Sequence, residues 1–106
     1  MAKAKAKASK GFEGRPVVVR TERAGVWVGN LISRKGTEAV LENARRLWYW
    51  DGAASLSQLA IDGVSKPENC KFPESVKELL VMGAIEIIPM TDKAIKSINE
   101  VAIWKE

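Results

Sequence analysis

Arg45, Arg46, Trp48 and Trp50 fall within six positions of one another, in the run Arg45-Arg46-Leu47-Trp48-Tyr49-Trp50. An arginine beside large rings offers positive charge for a phosphate and a flat surface on which a base can stack. If the run is a strand, side-chain alternation places Arg46, Trp48 and Trp50 on one face and Arg45, Leu47 and Tyr49 on the other. The same rings also suit burial, as the core of a small domain or the anchor of a subunit contact. Ligand site and packing element are therefore both open readings of this run.

Two further sets of cations could meet an anion. Lys3, Lys5, Lys7 and Lys10 alternate with small residues in the opening MAKAKAKASKG, a low-complexity stretch with no apolar face to bury. Such an arm can attract nucleic acid through counterion release, extend over a neighbouring subunit, or simply solubilise the chain. Arg15, Arg20 and Arg23 surround the first apolar run and could hold phosphate bidentately. They could equally pair with Glu13, Glu22, Glu38 and Glu42 across neighbouring strands.

Most familiar catalytic chemistry is excluded by composition. The 106 residues include no histidine and one cysteine, Cys70, so the usual triads, the commonest general base and Cys/His metal clusters cannot be assembled. Neither the P-loop pattern nor G-x-G-x-x-G occurs, and no cofactor or metal is expected. Carboxylate-only chemistry is left to Glu38, Glu42, Asp51 and Glu86, and no spacing among them identifies a pair. The protein is expected not to be an enzyme. Cys70 lies beside Lys71, whose charge would favour the thiolate; the alternative is a half-buried small residue with no role.

The net charge of +4 belongs to one end of the chain. Residues 1 to 10 hold four lysines and no acid, whereas residues 11 to 106 hold 13 basic and 13 acidic side chains. All six arginines precede residue 47 and nine acids follow it. A lone cysteine argues against a disulfide-stapled secreted scaffold, and no apolar run approaches the length of a membrane span. A cytoplasmic setting without a membrane partner is expected.

These residues must be positioned by short elements. Residues 16–21 (PVVVRT), 26–33 (VWVGNLIS) and 37–42 (TEAVLE) read as three strands of a meander, rich in β-branched residues and separated by glycine-bearing turns. Arg34-Lys35-Gly36 reads as a three-residue hairpin loop with glycine at its left-handed position, and Glu22 to Gly25 as a looser turn. The aromatic run 45–50 reads as a further strand ended by Asp51-Gly52. Ser55 and Gln58 have capping-box spacing before Leu56, Leu59 and Ala60, and Gly63 closes that helix. Val64 to Pro73 reads as a surface loop. Val76, Leu79 and Leu80, with Ser75 and Glu78 as a second possible cap, fit a helix turn, and a strand is the other reading. Ala84 to Ile88 is a strand ended by Pro89, Thr91 caps a short helix through Ile98, and Val101 to Trp104 returns as a last strand.

The sum is an α+β, mainly β domain: a small antiparallel meander or barrel-like sheet with two or three short helices. Residues 1–12 form a flexible basic arm and 13–106 a single globular domain. Exposed strand edges commonly close by symmetric pairing, so a homo-oligomer is expected.

The segments VVVRTERAGVWVGNL, ARRLWYWDGAASLSQLA, KFPESV, IEIIPMT and VAIW resemble a family of short proteins of tailed bacteriophages and prophages whose activity is uncharacterised. The resemblance covers about nine-tenths of the chain and rests most on ARRLWYWDGAASLSQLA. It implies a phage origin and a host-cytoplasm setting and assigns no site. The expected function is therefore a non-enzymatic binding protein acting in the infected cell. Arg45, Arg46, Trp48 and Trp50 would hold a nucleotide, nucleic acid or host protein, with contacts from Lys3, Lys5, Lys7, Lys10, Arg20 and Arg23. The alternative is a structural or assembly protein of the particle, its lysine arm extending over a neighbouring subunit.

Overall fold

A computed structural model describes residues 12–106. The expected arm, with Lys3, Lys5, Lys7 and Lys10, lies outside the described residues apart from its last position. Phe12, assigned to the arm, instead packs against the core, with the Arg15 guanidinium 5.5 Å from its ring.

Five strands form one antiparallel sheet: β1 (Pro16–Thr21), β2 (Val26–Lys35), β3 (Glu38–Arg46), β4 (Val76–Val81) and β5 (Ala84–Pro89). The spatial order is β4-β3-β2-β1-β5, so the expected meander is present and the last strand returns to flank the first. Successive valines of β1 point to opposite faces, yet Val17, Val18 and Val19 are all fully buried. Both faces of the central strand are therefore covered. Val17 and Val19 join Leu31, Ala39, Leu41, Ala44 and Val81 on one side. On the other side Val18 meets Val28, Leu47, Phe72 and the helices. The sheet covers the first face by curling: the Ala84 N–H, at the start of β5, donates to Thr37 O at the tip of the β2–β3 hairpin (2.9 Å). That is the physical content of a barrel-like sheet.

Two helices cover the second face. In α1 (Leu56–Asp62) the Ser55 side chain accepts from the Gln58 N–H, as its spacing predicts, and the chain leaves at Gly63. The Gln58 side chain reaches back to the Ala54 N–H rather than that of Ser55, one residue beyond the usual box. In α2 (Asp92–Asn99) the Thr91 hydroxyl accepts from the Ala94 N–H. Leu59, Ala60, Ala94 and Ile98 are the residues these helices bury. Among the described residues no helix is long and apolar enough to cross a membrane.

Several expected elements differ in detail. Lys35 pairs directly with Glu38, so the hairpin loop is the two residues Gly36-Thr37 rather than Arg34-Lys35-Gly36. Gly36 still supplies the left-handed residue (φ 60°), now as the first of a two-residue turn. Arg45 and Arg46 do not open a separate aromatic strand but end β3, which continues past a left-handed Asn43 (φ 54°) and a register shift. Beyond them only a single bridge, Tyr49 to Lys71, carries strand-like pairing. Residues 76–81 are a strand, not a helix turn. The last strand reduces to a bridge between Phe72 and Ile103. Phe72 itself is fully buried, so the segment from Val64 to Pro73 is no simple surface loop: a 3-10 turn at Pro67–Asn69 delivers an aromatic side chain to the core.

Candidate functional site

The end of β3 sends two adjacent arginines in opposite directions. Arg45 opposes Val28 and enters the helix-covered core, where it is 7% exposed. It has no carboxylate partner there. Its Nε–H donates to Pro73 O (2.8 Å), Nη1 to Ile98 O (3.0 Å), and Nη2 to Phe72 O (3.1 Å), Val101 O (2.8 Å) and Ala102 O (3.3 Å). Its guanidinium also sits 5.5 Å from the Phe72 ring. Burial pushes its pKa below the ordinary arginine value. Arg45 was expected to contact a ligand; its donors are instead spent on main-chain carbonyls, and it clips the C-terminal segment and the Phe72 loop onto the sheet.

Arg46 opposes Trp27 and faces outward. Its guanidinium lies 5.9 Å from the Trp27 ring and 4.5 Å from the Trp48 ring. The turn between β1 and β2 makes room for it. Thr21 locks that turn, its hydroxyl donating to Gly25 O and accepting from the Ala24 N–H (both 2.7 Å), and the Trp27 indole N–H donates to Ala24 O (2.9 Å). A Cβ at Gly25 would stand 2.7 Å from Arg46 Nη2, so glycine is needed both for that approach and for its φ of +86°.

Trp48 continues the array. Its rings stack with those of Trp104 at 6.3 Å between centroids and 21° between planes, and Lys71 Nζ lies 5.5 Å from the Trp104 ring. Backbone pairing sets this arrangement: Lys71 O accepts from the Trp48 and Tyr49 N–H groups, Lys71 N–H donates to Tyr49 O, and Trp104 N–H donates to Phe72 O. The order Trp27, Arg46, Trp48, Trp104, Lys71 is a ladder of rings and cations. It is open to solvent, since Trp48 is 54% exposed, Trp104 44% and the adjoining Tyr49 52%.

Among the described residues the ion pairs are Arg20 with Glu86 (2.9 Å) and Lys93 with Asp62 (3.3 Å), so neither Arg46 nor Lys71 is neutralised by a carboxylate. Arg46 Nε is buried and has no hydrogen-bond partner among the described residues. Three clefts of about 460, 230 and 280 Å³ lie elsewhere and include none of the five ladder residues.

Trp50 does not share the outward face with Arg46 and Trp48. The chain leaves strand geometry after Arg46, and Trp50 turns in against the helix-covered core. Arg20 pairs with Glu86 of β5 and with none of Glu13, Glu22, Glu38 or Glu42, whereas Arg23 is exposed in the turn that carries Gly25. Of the remaining carboxylates, Glu38 and Glu42 both lie on β3, Glu38 after the hairpin loop and Glu42 opposite Glu78, and Asp51 accepts from the Asn69 side chain (2.9 Å). Trp27, Lys71 and Trp104 were missed as site residues, because three separate pairings, Trp27 with Arg46, Tyr49 with Lys71 and Phe72 with Ile103, bring them together and no local spacing announces it; Tyr49 was assigned to the opposite face of the run.

Cys70 runs against its neighbour's charge. Burial pushes its thiol pKa up, and the charges of Asp51 and Glu68 add to the rise, so Lys71 does not activate it. Alkylation by iodoacetamide at pH 7 is expected to be slower than for a free thiol and to recover as the pH is raised above the ordinary cysteine pKa. A rate equal to or faster than that of free cysteine would contradict this environment.

A family model described as a domain of unknown function (DUF6948) matches residues 14–98. The chain belongs to that family. The match takes in β1 to β5, α1, α2 up to Ile98, and the ladder residues Trp27, Arg46, Trp48 and Lys71, while Trp104 and the carbonyls of Val101 and Ala102 that Arg45 holds lie beyond it. No curated protein matches the chain.

Proposed function

We propose that the protein is a small non-enzymatic binding protein, and that its ligand carries both an anionic group and an aromatic ring, as a nucleotide or nucleic acid does. The observation that carries this reading is Arg46, wedged beside two tryptophans without a carboxylate partner and with a buried, unpartnered Nε. A buried Nε–H ordinarily finds a hydrogen-bond acceptor, and Arg46 Nε has none among the described residues. A ring stacked on Trp48 or Trp104, with its phosphate against Arg46 or Lys71, satisfies both requirements. The resemblance to short proteins of tailed phages supports a phage-encoded protein acting in the infected cell, where a host protein is a further candidate partner.

Tryptophan fluorescence tests this directly, because three of the four tryptophans belong to the ladder. Titration with nucleotides and oligonucleotides is expected to quench emission, and Trp48→Leu to weaken binding about tenfold, the value of one lost stacking contact. If no base-bearing anion alters the fluorescence, the reading is wrong.

A second reading, a structural or assembly protein, draws on the outer edge of β4. Val76 and Leu80 are exposed on that strand, whose second edge is unpaired in the sheet, and Met82 is exposed just beyond it. Light scattering separates the two: a strict monomer that is missing from purified virions leaves this reading without support.

A further inference from the structure

We infer that the ladder takes a single strand of nucleic acid, in preference to a mononucleotide or a duplex, with Trp48 and Trp104 stacking successive unpaired bases and Arg46 and Lys71 meeting their phosphates. This rests on the nucleotide or nucleic-acid reading above and narrows it.

Three observations carry the choice. The ladder repeats its unit, since each exposed ring has its own cation: Arg46 at 4.5 Å from Trp48 and Lys71 at 5.5 Å from Trp104. One base with one phosphate would use half of it. The rings also lie on an open surface, about half exposed, and three clefts elsewhere in the domain are lined by other residues. A mononucleotide depends on enclosure for most of its affinity, while a polymer gathers affinity from repeated open contacts. Finally, the rings of the site are about half exposed, and a duplex keeps the faces of its bases stacked on one another; only unpaired bases are free to stack on protein rings.

Lys71 and Trp104 thereby gain roles as ligand contacts that their sequence positions did not suggest. Arg46 gains a more specific one. Its planar guanidinium can lie on the Trp48 ring and present two donors to a phosphate, a geometry that lysine's compact ammonium cannot reproduce.

The folded part is neutral, so its attraction for a polyanion should come from these two cations rather than from a broad field. Two phosphate contacts on a single strand give a salt slope, d log K/d log [salt], of about −1.4. The opening lysines add contacts of their own and must be silenced to expose this value.

The test is fluorescence titration of the full chain, with Lys3, Lys5, Lys7 and Lys10 changed to glutamine, against an oligothymidylate of about ten nucleotides, thymidine monophosphate, and a blunt hairpin duplex of equal phosphate count. The expected order is single strand tightest, by at least tenfold over either other ligand, with a salt slope near −1.4. Trp104→Leu and Arg46→Lys should each weaken the single strand about tenfold and leave far-UV circular dichroism unchanged. Equal affinity for the monophosphate or the duplex overturns the inference and leaves the broader reading standing. Binding that prefers the single strand but ignores both substitutions places the site elsewhere and also overturns it. Silence toward all three ligands removes the broader reading as well.

Discussion

Replacing Arg45 with methionine is expected to destabilise the fold by about 3–5 kcal/mol, read as a lowered midpoint in urea unfolding. The side chain is buried and its donors engage five carbonyls, those of Phe72, Pro73, Ile98, Val101 and Ala102. Methionine fills a similar volume; Phe72 O and Ile98 O keep the N–H groups of Trp104 and Val101, but the oxygens of Pro73, Val101 and Ala102 lose the guanidinium, and each orphaned acceptor costs about 1–3 kcal/mol unless the segment moves out to meet solvent. Moving out is itself costly, because Phe72 is fully buried and Val101 nearly so. Arg45→Lys should recover little, since three donors on one point cannot span carbonyls contributed by three separate segments. The array of carbonyl dipoles also explains how a guanidinium sits in this core without a carboxylate: the charge is met by several partial charges, and the remaining cost appears as a lowered pKa.

The consequence reaches the site. Ala102 and Trp104 are two residues apart, so release of Val101 and Ala102 frees the ring that stacks on Trp48. Loss of near-ultraviolet tryptophan ellipticity should therefore accompany the lost stability in Arg45→Met. A midpoint shift worth less than about 1 kcal/mol would mean that water replaces the guanidinium and that Arg45 is not the clip described here.

Those two arginines also show where the sequence could be read and where it could not. Local signals were sufficient for the strands 16–21 and 84–88, for Ser55, Gly63 and Thr91 at the helix ends, and for Gly36 in its turn. Each depends on backbone preference or hydrogen bonding within a few residues. The alternation rule correctly separated Arg45 from Arg46, but it could not say which faced solvent, because the sheet is covered on both faces. It then failed at Tyr49 and Trp50, where the strand has ended. At residues 76–81 the apolar positions Val76, Leu79 and Leu80 imitate a helical period. Only Leu79 and Val81 turn inward, with the two-residue period of a strand, while Val76 and Leu80 are exposed on an edge strand. Exposed apolar side chains gave the misleading pattern. The ladder was half visible, as Arg46 and Trp48. Its other members come from positions 27, 71 and 104, and they meet only because β2 pairs with β3 and two single bridges bring in the Lys71 and Ile103 segments.

Gly25→Ala is expected to alter the ladder without changing any charge, and so to separate the placement of Arg46 from its mere presence. The added methyl would stand 2.7 Å from Nη2 and 2.8 Å from Nε, inside contact distance, in a turn whose φ of +86° already disfavours a side chain. The backbone conformation alone costs about 1–2 kcal/mol. The turn cannot readily relax, because Thr21 bonds to both Ala24 and Gly25 and Trp27 bonds to Ala24. The guanidinium is the softer partner and must swing away from Trp27. Affinity for an oligonucleotide should then fall about tenfold, close to the effect of Arg46→Met, while the formal charge is unchanged. Urea unfolding measures the first effect and fluorescence titration, under conditions where the variant is fully folded, the second. Were Gly25→Ala to bind as the parent does while Arg46→Met does not, the charge alone would suffice and the sandwich between Trp27 and Trp48 would have no part in recognition. If neither variant loses affinity, Arg46 is a packing residue, and its unpartnered Nε is simply a cost the fold tolerates to bring Trp27 and Trp48 together.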